Sequence, residues 1–186
     1  MPGPGFIEEY GSSDSQKRID IMLNYFEDFP VIMEGQRKIL VYKIKNELEY
    51  QRKQYQNDHA MVRLLQTLSD PTAKEAIENV MIEDVVLNGK DISDLVCDMK
   101  KGTKSFFCRQ LYVLEKMQEE YTILRTQMLL LSSSEKKIFE LYAKSGHDFQ
   151  KIAEEQGIQL ESARRRVWEI RKKIRKNTVD YMLEKI

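Results

Sequence analysis

Three consecutive arginines, Arg164 to Arg166, lie in the 17-residue stretch Leu160–Lys176, which holds 8 basic and 2 acidic side chains. Guanidinium groups on a helix can act on duplex DNA in two ways. They bind guanine O6 and N7 through paired hydrogen bonds, and they neutralise phosphates. Their neighbours extend the first chemistry: Gln159 can read adenine and Glu161 can accept from cytosine N4. Gln159, Leu160, Glu161, Ser162, Arg164 and Arg165 are therefore the expected base-contact residues. Each good bidentate pair is worth about 1–3 kcal/mol of discrimination. Lys151, Arg166, Trp168, Arg171, Lys172 and Arg175, with Lys173 beside them, are expected at phosphates. There they add affinity without reading sequence. The competing reading is a solvated, Lys/Arg-rich helix end.

Such chemistry needs a scaffold that presents one helix to the major groove. Ser132 and Glu135 have capping-box spacing, followed by the apolar residues Ile138, Phe139, Leu141 and Tyr142, with Gly146 as the expected left-handed cap. Asp148 can cap a second helix whose Ile152 and Ala153 point inward. Gly157 follows Ala153 by four positions. A tight turn there requires positive φ, which glycine adopts without steric cost. Ile158 is expected to plug the core between the helices. Ala163, Val167, Ile170 and Ile174 are spaced 4, 3 and 4, the buried stripe of a third helix. This is a helix-turn-helix layout. Trp168 has two readings, packing over the first helix of the motif or lying against the sugar-phosphate edge; packing is the more frequent role and is the expectation.

The rest of the chain sets the background. Its 30 Lys/Arg and 30 Asp/Glu cancel, yet residues 131–186 carry +4 and the remaining 130 residues −4. A basic element on an acidic protein is the pattern of local phosphate binding. Two cysteines, Cys97 and Cys108, form neither a disulfide framework nor a zinc spacing, and free thiols are expected. No apolar run approaches a membrane span, and the N-terminus lacks a signal-peptide pattern. A soluble cytoplasmic protein with no membrane association is expected.

The pattern is all-α. Residues 1–15, rich in Pro, Gly and Ser, are expected to be disordered. A short amphipathic helix with Ile19, Met22, Leu23 and Phe26 should run from Ser15 to Phe29, ended by Pro30. A second should span about 31–57, with Val41, Ile44, Leu48 and Tyr55 as its stripe. Asp70 and Pro71 open a helix over 71–85, Asn88-Gly89 is a turn, and 91–99 is a short helix broken at Lys101-Gly102. Over 103–131 a seven-residue pattern appears: Phe107, Leu114, Tyr121 and Met128 in one position, Met117, Leu124 and Leu131 in the other. Such coiled-coil-like helices can zip against a partner within the chain or on a second subunit. The expected organisation is a disordered 1–15, a helical oligomerisation or polymerase-interaction region 16–130, and a helix-turn-helix domain 131–186.

Residues 131–176 resemble region 4 of bacterial sigma factors, through Ile152-Ala-Glu154, Gly157-Ile158, Ala163-Arg-Arg-Arg-Val167 and Ile170-Arg-Lys-Lys-Ile174. The resemblance covers a quarter of the chain, and no counterpart of the other sigma regions is present. The whole-chain arrangement is similar to phage late-gene transcriptional activators of the ArpU/RinA kind, with Ser69-Asp-Pro-Thr-Ala73 reproducing their connecting stretch. The departure is the segment from about 85 to 105. The resemblance implies a phage or prophage regulator that binds double-stranded DNA at a promoter and recruits bacterial RNA polymerase. A homodimer is a candidate assembly, because one small module binds DNA weakly and two half-sites in phase raise affinity and specificity. Two other readings stand beside it: a phage DNA-packaging recognition subunit like a small terminase, and a sigma-like module that binds a protein. His59 and His147 read as surface residues outside any metal spacing. The acidic pairs Glu83-Asp84 and Asp91/Asp94 read as helix-surface charge. No phosphate loop, Ser-His-Asp set or His-Glu-x-x-His occurs. Neither enzymatic activity nor a metal or cofactor is expected.

Overall fold

The structure, a computed structural model, describes residues 3, 5–58, 71–89, 92–93, 96–97 and 99–183, the side chains of 55–58, 71–75 and 183 excepted. Among them lie eight helices and no strand: α1 (Phe6–Ser12), α2 (Ser15–Asn24), α3 (Phe29–Asp58), α4 (Pro71–Asn88), α5 (Lys101–Met128), α6 (Ser133–Lys144), α7 (Phe149–Gln156) and α8 (Leu160–Leu183). The all-α expectation holds. No described helix is long and apolar enough to cross a membrane. Cys97 and Cys108 are free thiols.

Backbone contacts divide the chain into two compact units, one of residues 1–32 and 116–186, the other of residues 33–115. This division differs from a boundary at 130/131. The residues expected to form the DNA-binding domain share a unit with both ends of the helical region.

In the first unit, the segment expected to be disordered contains α1, whose Phe6, Ile7 and Tyr10 are buried. The glycines and prolines that argued for disorder flank three large apolar residues, and burial of such side chains outweighs local propensity. Pro30 does not end α2, which stops at Asn24. It is the second residue of α3, where the Asp28 carbonyl accepts from Ile32 N–H. At that position proline's missing donor is one of the helix's unsatisfied four.

A buried polar cluster joins α1, α2 and α5. Tyr10 Oη donates to Glu120 Oε2 at 2.6 Å, and Arg18 Nε donates to Glu120 Oε2 at 2.9 Å and Oε1 at 3.1 Å. All three side chains are buried, and Arg18 also donates to the Ser13 carbonyl and to Ser15 Oγ. Burial, and next the charge of Glu120, push the Tyr10 phenol far above its ordinary range, so it remains a donor. Around the cluster runs a chain of aromatic contacts. Phe29 stacks on Tyr121 at 5.2 Å, Phe26 meets Tyr121 at 5.7 Å, and Phe26 meets Phe139 of α6 edge-on at 5.3 Å. Tyr121 Oη donates to the Phe26 carbonyl at 2.8 Å.

In the second unit, Arg37 donates to the Val86 carbonyl at 2.7 Å, Lys45 pairs with Glu83 at 2.6 Å, and Arg52 pairs with Glu78. These contacts run in opposite senses along α3 and α4, making an antiparallel hairpin over buried Leu40, Val41, Ile44, Ile82 and Val86. Leu48 is only partly covered, and Tyr55 lies outside the described side chains. Pro71 opens α4 as expected; its proposed cap Asp70, with Ser69 and His59, falls outside the described residues. Gly89 has φ +67°, the left-handed turn that Asn88-Gly89 signals. The helix expected over 91–99 is not found among the described residues there. Ile92, Val96 and Met99 are buried in turns closed by Val96 N–H to Ile92 O and Met99 N–H to Val96 O, while Asp91 and Asp94 lie outside the description. Glu83 pairs with Lys45, and Asp84 accepts from Asn88, so both acidic side chains have protein partners.

The seven-residue seam of α5 is buried within the chain itself: Phe107, Leu114, Met117, Tyr121, Leu124 and Met128, with Leu131 just beyond the helix, are all at most 9% exposed. Of the two partners the pattern allowed, the intramolecular one covers it.

Glu120→Ala should destabilise the protein by about 3–5 kcal/mol, because it leaves the Arg18 guanidinium buried and unpaired. Chemical denaturation followed by circular dichroism measures this; a loss under about 1 kcal/mol would show that the cluster is not a structural requirement.

Candidate nucleic-acid interface

The candidate interface is built on α6, α7 and α8, with α2 as a fourth support. α2, α6 and α7 each pack on α8, and α6 packs on α7. Each helix end is set by local chemistry. Ser132 Oγ accepts from Glu135 N–H at 3.3 Å and Glu135 Oε2 accepts from Ser132 N–H at 2.8 Å, completing the expected capping box. Glu135 also pairs with Lys173 of α8 at 3.0 Å. The Ser132 N–H first, and then Lys173, hold its carboxyl below the usual carboxylate range. α6 ends with Gly146 at φ +67° and His147 N–H donating to the Tyr142 carbonyl at 3.0 Å, a Schellman closure.

Asp148 caps α7, accepting from the N–H groups of Gln150 and Lys151. α7 ends at Gly157 with φ 60° and ψ 36°, where Gly157 N–H donates to Glu154 O and Ile158 N–H to Ala153 O. Both Schellman bonds are therefore made. No atom lies within 4 Å of where a Gly157 Cβ would stand, so its backbone angle, not crowding, selects glycine. Ile152 and Ala153 are buried as expected. Ile158 is only half-buried and does not plug the core fully.

α8 has one buried edge, Ala163, Val167, Ile170 and Ile174, each at most 4% exposed. The stripe continues one turn further to Thr178, whose hydroxyl donates to the Ile174 carbonyl at 2.8 Å. That bond satisfies the hydroxyl locally, which lets a polar residue occupy a core position.

Burying that edge turns the other faces outward. Gln159, Glu161, Ser162, Arg164, Arg165, Arg166, Trp168 and Lys172 are exposed, and Leu160 is half-buried. The expected base-contact residues therefore share the N-terminal turns of α8. Arg164 pairs with Glu161 at 2.8 Å and lies 5.9 Å from the Phe149 ring; Arg165 pairs with Glu169 at 3.0 Å. Exposed pairs of this kind contribute about 0–1 kcal/mol and are readily exchanged for another anion. Arg166 makes no ion pair among the described residues. Lys151 is exposed on α7 beside a cleft shared with Lys137 and Lys144 of α6.

Trp168 corrects the packing expectation. It is 61% exposed, with Lys172 Nζ 4.9 Å from its ring. The buried stripe at 163, 167, 170 and 174 leaves position 168 on the outer face.

Two expected phosphate contacts are instead engaged inside the unit. Arg171 donates to Tyr142 Oη at 2.9 Å and to Asn24 Oδ1 at 2.7 Å. Arg175 donates through Nε and Nη2 to Asp20 Oδ1. Asp20 and Asn24 had no sequence signal as partners of these arginines, because 155 and 147 residues separate the pairs.

His147, expected at the surface, is partly buried. It stacks on Tyr142 at 4.5 Å, with φ 72°. Burial, and next Arg171, hold its imidazole below its ordinary value. Among the described residues no group of three or more His, Cys, Asp or Glu could hold a metal ion. No protein-family model matches this chain, and comparison with curated proteins and with solved structures finds no match.

Gly157→Ala should cost about 1–2 kcal/mol in thermal or chemical denaturation, since a Cβ at left-handed φ is strained even in open space. Gly157→Asn should cost less, and an equal loss for both would place the cause elsewhere. The depressed His147 value fixes a pH dependence as well. The neutral ring favours the folded state, so this contribution is complete above about pH 6.5 and is lost as pH falls through the lower folded-state value. His147→Asn, which tolerates the same backbone angle, should show a shallower fall in melting temperature between pH 7.5 and 5 than the parent protein.

Proposed function

We propose that this chain is a sequence-specific DNA-binding transcriptional regulator, a phage or prophage activator that recruits host RNA polymerase to a promoter. One observation carries the DNA-binding part: the outward face of α8's first turns presents Gln159, Glu161, Ser162, Arg164 and Arg165 together, immediately after a left-handed glycine turn that fixes the helix on α7. In a helix-turn-helix these early residues reach base edges while the preceding helix crosses the backbone. The ion-pair partners of Arg164 and Arg165 are exposed carboxylates, so guanine can replace Glu161 and Glu169 as their acceptor. Arg166, Lys172 and Lys151 supply phosphate neutralisation around that face, and exposed Trp168 lies against the sugar-phosphate edge. The recruitment part rests on the sigma region 4 resemblance of residues 131–176 and on the ArpU/RinA-like arrangement of the whole chain.

Selection from a random duplex pool should yield a defined site. On that site, Arg164→Ala and Arg165→Ala should each weaken binding by about 1–3 kcal/mol in a gel-shift titration. Unchanged binding by both variants would remove the major-groove assignment. Capture of a protein with no duplex selected would favour a protein-binding module.

A further inference from the structure

α2 lies outside the helix-turn-helix pattern, yet its polar edge grips α8 at two points. Asp20 and Asn24 are four residues apart on α2, and Arg175 and Arg171 are four apart on α8. They pair in antiparallel order, Asp20 with Arg175 and Asn24 with Arg171. The two rungs are chemically unequal. Arg171 rests on neutral acceptors, the Asn24 amide and the Tyr142 hydroxyl, and lies 5.7 Å from the Tyr142 ring, so its charge is retained. Arg175 places two N–H groups on one carboxylate oxygen and is neutralised by it. That carboxylate occupies the position a DNA phosphate oxygen would take on a guanidinium fork.

We propose that Asp20 is a positioning residue that withholds Arg175 from the DNA backbone, so that α2 orients the recognition helix and keeps one phosphate contact out of the complex. The inference rests on the DNA-binding reading of α8. Its consequence is a gain in specificity. Non-specific affinity follows the number of phosphates neutralised, and each contact removed lowers it without touching base readout. Arg164, Arg171 and Arg175, at spacings of seven and four, share one flank of α8. Only the first pairs within its own helix; the others bind groups of α6 and α2 and fix the helix to them.

The test is the salt dependence of binding to a short duplex of arbitrary sequence, with folding followed by circular dichroism. Asp20→Asn keeps the shape and removes the charge. It should bind several-fold tighter, and its slope of log K against log salt should steepen by about 0.9, the value of one additional phosphate. Asp20→Asn combined with Arg175→Gln should return the slope to that of the parent. Arg175→Gln alone should leave the parent slope unchanged, which keeps the proposal falsifiable if the Asp20 variant folds poorly. A folded Asp20→Asn protein with an unaltered slope overturns it, as does a slope that becomes shallower by about 0.9 in Arg175→Gln alone. If the parent protein binds no duplex at any salt, the DNA-binding reading fails and this inference falls with it; binding by the parent without the slope change removes the inference alone.

Discussion

A buried carboxylate constrains much of the unit that carries α8. Glu120 sits where no water reaches it freely, and an unmatched anion there costs several kcal/mol. Arg18 and Tyr10 are the groups that meet it most closely, and each comes from a different helix. Satisfying one charge therefore fixes α1 and α2 against the C-terminal part of α5. The aromatic contacts of Phe26, Phe29 and Tyr121 extend that arrangement to Phe139 of α6. α2, so placed, presents Asp20 and Asn24 to α8. The orientation of the basic helix thus depends on a hydrogen-bonded cluster that contains none of its residues.

α8 shows how a single helix serves two demands. Its apolar edge must be covered, and covering it determines which side chains face outward. Cationic residues alone would not distinguish an interface from a scaffold, because both use arginine. Their partners differ along the helix. Arg164 and Arg165 are held by solvent-facing glutamates one turn away, whereas Arg171 and Arg175 are held by groups from α6 and α2. The first kind of contact yields easily to a competing anion and the second is tied to the packing of the unit.

What was legible in the sequence was local. The capping box at Ser132, the caps at Asp148 and Gly157, and the stripe through Ala163 and Ile174 each follow from residues within a turn or two of one another. The seam of α5 was legible for the same reason, though its partner was not. Pairings across the chain left no trace: nothing near Asp20 points to Arg175, and nothing near Tyr10 points to Glu120. Composition misled at the N-terminus, where glycine and proline precede a helix that tertiary burial stabilises. Residue statistics misled at Trp168, because a tryptophan's usual role gave way to its position relative to the stripe. Pro30 was misread because proline breaks a helix interior but is accommodated in the first turn.

The unit bearing α8 is discontinuous, made from residues 1–32 and 116–186. During synthesis Tyr10 emerges 110 residues before Glu120, and Asp20 emerges 155 before Arg175. α1 therefore waits for Glu120, and α2 waits longer still for Arg175. Closing contacts of such sequence separation is slow compared with helix formation. A nascent chain stalled before Lys116 would carry exposed apolar side chains on α1 and α2, with their α5 partners not yet made. α8, by contrast, emerges after α2, α6 and α7, so every one of these helices that packs on it is already synthesised when it appears.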